Sequence, residues 1–330
     1  MNCRMLMVGA LVAVTATTAQ AQSCAAGYTQ VACQKGVDLV NFLTPQLSSA
    51  LAGGNATLGQ GGALGGLGHW ELDVRATAVN GKLPKLNNVG LSTSGSLPTN
   101  FTADNQFIPG VSANASIGIW RGVSLGVTHV GGIDALVTAT YLQDFDGGDV
   151  KVKLSGGNTK YGYGVRVGLL EESAVTPGVG FTYLQRDLPT LSISGASTVS
   201  ASGGSAPGTI AINNLAMKTT AWRITASKDL LIFGLSAGVG QDKYSTSSTL
   251  ALTVNAPAPI GTQNGTGSAG FDMTRTNVFV GASINLFVAK LVGEVGQVSG
   301  GSVPAGKNVF GSSDPAGSRS YFTVGLRFGM

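Results

Sequence analysis

Histidine is almost missing from this sequence: His69 and His129 are the only two in 330 residues. A catalytic triad or a histidine-based metal site therefore has almost no material, and nothing calls for a metal or a cofactor. Charge is scarce as well, at 11% of residues, against about 25% in an ordinary soluble domain. The small basic excess is scattered, which argues against a nucleic-acid partner. Of the three cysteines, Cys3 lies at the extreme N-terminus, leaving Cys24 and Cys33. Two thiols nine residues apart in an oxidising compartment can form one disulfide or stay unpaired, and neither state implies redox catalysis. The run Gly61-Gly62-Ala63-Leu64-Gly65-Gly66 lacks the Lys-Ser or Lys-Thr ending of a phosphate loop. An enzyme is not the expected reading.

Long apolar runs are also lacking. Met5 to Val14 is apolar and follows Arg4, and Ala19-Gln20-Ala21 offers small residues for cleavage, which together describe a secretory signal over residues 1–21. That run is about half the roughly 20 residues a spanning helix needs. Removing it leaves 19 basic against 16 acidic side chains. No later stretch is long enough for a helical span, yet mean hydropathy is positive, +0.25. A transmembrane β-barrel accounts for both, because each strand needs only about ten residues and shows alternate side chains to lipid.

What is present agrees. From Trp70 to Val79, Trp70, Leu72, Val74, Ala76 and Ala78 alternate with Glu71, Asp73, Arg75 and Thr77, the period of a strand. Runs of this kind at 69–79, 110–119, 122–130, 132–142, 150–155, 160–170, 177–187, 216–227, 230–242, 271–285, 288–298 and 320–330 suggest about twelve strands, within a range of about ten to fourteen and even in number. Tight turns are expected near Trp120 to Gly122, in Ala226 to Leu230 and in Ile284 to Val288. Between them, Asn80 to Pro109, Pro189 to Gly208, Ser245 to Gly270 and Gly300 to Ser318 read as long loops. Short turns at one end and long loops at the other mark an outer-membrane barrel, all-β and antiparallel, occupying residues 69–330. The final alternation of Phe322, Val324, Leu326 and Phe328 resembles the terminal strand read by barrel-assembly machinery, and departs from it in ending on Gly329 and Met330.

Charges on the lipid face near the midplane would cost about 2 to 4 kcal/mol each for Arg or Lys. Parity therefore assigns Glu71, Asp73, Arg75, Asp134, Arg166, Arg223, Arg275, Lys290, Glu294 and Arg327 to the lumen, six basic and four acidic. His69 joins them by the same parity, and His129 falls near a strand end as an interfacial polar residue. These charges can pair across the barrel and hold a plug, or line a narrow path that favours anions. On this reading Val74→Arg should be disruptive and Thr77→Arg tolerated.

Ahead of the first strand, within residues 22–68, Val37, Val40, Phe42, Leu43, Leu47, Ala50 and Leu51 mark one face of a helix over 36–51. A glycine-rich run to Gly68 follows, so the segment is either a plug inside the lumen or a cap below it. An N-terminal plug followed by a barrel resembles the class of long-chain fatty-acid transporters, in architecture and without a motif match. The resemblance implies passage of a small solute, including a hydrophobic one, through a barrel embedded in outer-membrane lipid. The long polar loops support another reading, a barrel that acts through surface interactions with its lumen closed.

Overall fold

The computed structural model describes residues 23–25, 27–84, 89–90, 100–147, 150–201, 204–256, 258–310 and 313–329. The expected signal, residues 1–21, lies outside the described residues.

Ten strands close the barrel: β1 (Trp70–Pro84), β2 (Ala103–Trp120), β3 (Gly132–Tyr141), β4 (Thr159–Leu170), β5 (Gly178–Ala201), β6 (Gly204–Leu230), β7 (Phe233–Asn255), β8 (Thr262–Leu286), β9 (Ala289–Ser299) and β10 (Arg319–Gly329). Each pairs antiparallel with the next, and β10 returns to β1 through Leu326↔Val74 and Arg327↔Asp73. No edge remains at membrane level, the condition for a sheet in lipid. The rim where Trp70 enters and Gly329 leaves is called lower here.

Two of the twelve expected strands are not part of the ring. The 122–130 segment folds into a separate hairpin, Val123–Leu125 with Thr128–Val130, because Gly122, Gly126 and Gly131 take positive φ and turn the chain back before it can cross a bilayer. Val150–Leu154 pairs with Leu191 to Gly195 of β5, above the point where β4 ends. The first reversal between β6 and β7 falls at Leu231 and Ile232, just beyond the expected Ala226 to Leu230.

The larger correction concerns the loops. Pro189 to Gly208 and Ser245 to Gly270 are mostly strand: β5 to β8 run 24, 27, 23 and 25 residues. A bilayer takes about 9 to 11 residues of tilted strand, so these four rise well above it as a wall. Their outer sides there carry Ser245, Ser247, Thr249 and Thr253, so no apolar alternation betrays a strand, while the inner sides carry Ile193, Ile210, Ile212, Leu250 and Leu252. The wall's open flank beside β8 is covered by Ser23–Cys24, paired with Ser268 and Gly267.

Lower down, the outward positions form an apolar belt. Leu72, Val74, Val137, Val165, Val239, Val280, Val295 and Val324 are exposed there. Tyr141 and Tyr161 border the belt above, Tyr163 and Tyr183 lie within it beside Val137 and Val165, and Trp70, Trp120, Phe233 and Phe328 border it below. Such a belt between aromatic rows on a closed barrel is surface made for lipid. No described helix is long and apolar enough to cross a membrane. The protein is an outer-membrane β-barrel.

Candidate functional site

The barrel is filled by the chain's own N-terminal segment. The helix α1 (Gln30–Ala52) lies inside the ring, starting six residues before the expected 36. It ends where Gly53 turns extended and Gly54 takes φ 81°. At 23 residues it is roughly 35 Å long, enough to run most of the barrel's height. It is buried almost all round, not on one face: Lys35, Asp38, Asn41, Gln46 and Ser48 are as enclosed as Val37, Val40, Phe42 and Leu47. Its upper half packs against Ile210 and Leu250, and the helix shares one apolar cluster with Leu191 and Leu83. Residues 303–310 of the connection between β9 and β10 fold over it, with Phe310 stacked on Phe42 at 4.3 Å between ring centroids. The Asp38 carboxylate accepts bonds from the Lys307 and Asn308 amides at 3.1 and 2.8 Å.

From Gly53 the chain descends to His69 as an irregular leash broken by turns at residues 55–60 and 66–69. Inward glycines let it touch the wall: a Cβ on Gly180 would lie 2.1 Å from the Gly61 carbonyl oxygen, and one on Gly118 would lie 2.2 Å from that of Gly66. Any larger residue at either place would push the leash off the strand.

The wall holds this segment by charge on backbone. Arg275 Nη1 reaches the Pro45 carbonyl oxygen at 3.5 Å, Arg186 Nη2 donates to that of Ala52 at 2.6 Å, Arg75 to that of Asn55, and Arg327 Nη1 to that of Leu58 at 3.0 Å. The acids take the amides: Asn55 N–H donates to Glu294 at 3.1 Å and Leu64 N–H to Asp134 at 3.1 and 3.2 Å. Arginines thus meet carbonyls and carboxylates meet amides, in chain order down the lumen. Bonds to a charged partner are the strong kind, about 1.5 to 3 kcal/mol each.

Of the ten positions assigned by parity, Glu71, Asp73, Arg75, Asp134, Arg166, Arg223, Arg275, Glu294 and Arg327 are buried. Lys290 stands part-exposed at the lower mouth, paired with Asp229. Arg166 Nε donates to Asp134 at 2.7 Å, and Asn114 Nδ2 to Asp73 at 2.6 Å. Parity reasoning overlooked Arg186 and Asp242, although both continue the inward alternation of their strands. Arg223 grips both oxygens of Asp242 at 2.7 and 2.8 Å. His69 sits at the foot of the leash, Nδ1 3.3 Å from the Gly66 carbonyl oxygen, and His129 pairs with Glu171 at 2.5 Å on the lower hairpin.

Cys24 and Cys33 are joined in a disulfide. It ties the Ser23–Cys24 strand, docked on β8, to the first turns of α1. Replacing both cysteines with serine should free the top of the helix. A loss of about 2 to 4 kcal/mol is typical for a native bridge. It should appear as a lower temperature for conversion from the compact to the unfolded gel band.

Two cavities open at the lower mouth, of about 360 and 380 Å³, both lined by Gln60, Lys290 and Arg327.

No protein-family model and no curated protein matches the chain. Among solved structures it is similar to the toluene transporter TodX of Pseudomonas putida, with 13% identity over 86% of this chain and 96% of that one and a TM-score of 0.33. It is also similar to the CymD monoaromatic hydrocarbon channel, with 11% identity, 88% and 98% coverage and a TM-score of 0.28. A further similar structure is OprB of Pseudomonas putida, with 8% identity, 80% and 94% coverage and a TM-score of 0.20.

Proposed function

We propose that this protein is a passive channel or transporter for a small solute, kept closed by its own N-terminal segment. Residues 1–21 act as the secretory signal, 22–68 as the plug and 69–330 as the barrel. The observation that carries the reading is the lumen's contents. A ring of ten strands is filled by a separate helix and leash, held through side-chain bonds to backbone that can break one at a time. A barrel stabilised only by its own side chains would need no such insert. With the segment displaced, the upper lumen would offer Leu191, Ile210 and Leu250, which suits a solute with apolar surface. The lower lumen would offer a row of arginines, which gives anions an advantage over cations. Adding Arg186 and Asp242 to the parity set makes seven basic and five acidic groups, and the excess of two is kept.

Single-channel recording in planar bilayers tests this. The full-length protein should be closed for most of the time with brief openings. Arg186→Met removes the bond to the Ala52 carbonyl and should raise the open fraction about tenfold or more, the equivalent of 1.5 to 3 kcal/mol. Full-length protein and variant that both insert and both stay silent would overturn the reading.

The tall wall of β5 to β8 favours a second reading, a surface-interaction barrel whose lumen never opens. That reading expects the silent outcome. In either case β10, with its alternating Phe322, Val324, Leu326 and Phe328, is the segment the assembly machinery is proposed to engage.

A further inference from the structure

Two neighbouring turns on the lower rim break the usual chemistry of a β-hairpin. Leu231 and Ile232 join β6 to β7, and Phe287 and Val288 join β8 to β9. Two-residue hairpin turns favour Asn-Gly or similar pairs, because their central residues take positive φ. Here Leu231 has φ 56° and Phe287 has φ 43°. A side chain with a Cβ is strained in that region, because the Cβ crowds the following carbonyl oxygen. Neither residue recovers this by packing, since Leu231 is 95% and Phe287 fully exposed, with Ile232 and Val288 also exposed. The turns are joined into one unit: Asn285 donates its backbone N–H to the Ile232 carbonyl at 2.9 Å and its Nδ2 to that of Leu231 at 2.7 Å. A rigid, strained, wholly apolar knob in water would be unfavourable on every count.

The height of the apolar belt says what covers it. Above the belt, the first polar outward residues on β7, β8 and β9 are Gln241, Thr276 and Gln297, whereas on β6 Lys228 faces outward two residues above the turn, with its ammonium satisfied by the carbonyls of Ser173, Ala174 and Thr176. Below Thr276, β8 presents Val278, Val280, Ala282, Ile284 and Leu286 outward, and then comes the turn. A bilayer crossing needs about 9 to 11 residues of tilted strand. On β7 and β9 that length is used up only when the turn is counted in. The turns therefore sit at the lower boundary of the hydrocarbon and not in water beyond it. The knob is also too small for a stable dimer, which buries about 800 Å² on each partner.

We propose that Leu231, Ile232, Phe287 and Val288 form a foot inserted among the phospholipids of the inner leaflet, which fixes the depth of the barrel in the membrane. The left-handed strain is offset by transfer of four apolar side chains out of water and into lipid. The foot rests on the membrane-barrel fold alone, so a lumen that never conducts leaves it untouched.

The test uses a single fluorophore. The chain has three tryptophans; with all three replaced by phenylalanine, Phe287→Trp reports on the foot. In phosphatidylcholine bilayers its emission should be blue-shifted, quenched at least twofold by lipids brominated on the acyl chain, and protected from acrylamide. Strong quenching by acrylamide with none by bromolipid would overturn the proposal, placing the turn in water. Protection from both quenchers together with a cross-linked dimer would overturn it in favour of a second copy. Should that variant fail to fold, an exchange of both turns carries the test: Leu231→Asn with Ile232→Gly, and Phe287→Asn with Val288→Gly. Relief of the left-handed strain should leave this variant at least as heat-stable as the native protein in detergent, while the lost foot makes it less stable in bilayers. Equal or greater stability in both media would overturn the proposal.

Discussion

Deleting Cys24 to Leu64, with the signal and β1 retained, is expected to yield a barrel that still inserts but conducts continuously. The ring below the wall is built from ladder bonds between β1 and β10 that do not involve the N-terminal segment. Assembly should therefore survive. Closure of the lumen would not survive, because α1 and the leash fill it from the level of Gly265 down to Arg121. Removing them unpairs Arg186, Arg75 and Arg327 from the Ala52, Asn55 and Leu58 carbonyls and lets water hydrate the guanidinium groups. Unpaired charges in a narrow pore select ions. The conductance should rise at least tenfold over the full-length average and favour chloride over potassium in reversal-potential measurements. A deletion variant that inserts normally and matches the full-length trace would show that the segment does not gate the pore. Ser23 remains in this variant but loses its tether, so the exposed flank of β8 should make the upper wall more sensitive to protease than in the native protein.

Val74→Arg should block assembly. Val74 points outward in the middle of the belt, about half exposed, and pairs with Ala113 and Leu326 on the neighbouring strands. An arginine there costs about 2 to 4 kcal/mol in lipid, a large fraction of a typical stability. The measurement is the yield of the compact, heat-modifiable band in outer membranes, expected to fall several-fold. Thr77→Arg, expected from parity alone to be tolerated, meets a different fate. Thr77 is buried, shares a 2.9 Å hydrogen bond with Thr323, and lies on the filled side of the wall. Overpacking of this kind costs about 1 to 3 kcal/mol. The larger side chain must displace the leash near Gly54, where even an added Cβ would lie 3.5 Å from Thr323 Oγ1. Thr77→Arg should therefore assemble at reduced yield and leak. Failure of Thr77→Arg to raise conductance while Val74→Arg assembles normally would reverse the two faces.

Much of this architecture is legible from neighbouring residues alone. The side chains of a strand alternate, so Glu71, Asp73 and Arg75 against Leu72 and Val74 already separate lumen from lipid without knowledge of any partner strand. The same local rule reaches Asp134, Arg166, Arg223, Arg275 and Glu294, and would have reached Arg186 and Asp242. Spacing also suffices to suggest the Cys24–Cys33 pair and a helix ahead of the barrel.

Ring closure decided the rest, because it concerns residues far apart in sequence. The strand number fell from twelve to ten because 122–130 folds back on itself and 150–155 pairs with β5 above the closed ring. The wall of β5 to β8 reads as loop because its outer face is Ser and Thr in water, and only its inner face, turned toward α1, is apolar. A helix with an apolar stripe is expected to bury one face, but inside a barrel every face meets wall, so Lys35, Asp38 and Gln46 are enclosed with the rest. Whether the lumen charges face one another or the plug was open in the sequence. The fold sets Arg186, Arg75 and Arg327 opposite the carbonyls of Ala52, Asn55 and Leu58, since a buried guanidinium must find an acceptor and the descending backbone supplies them.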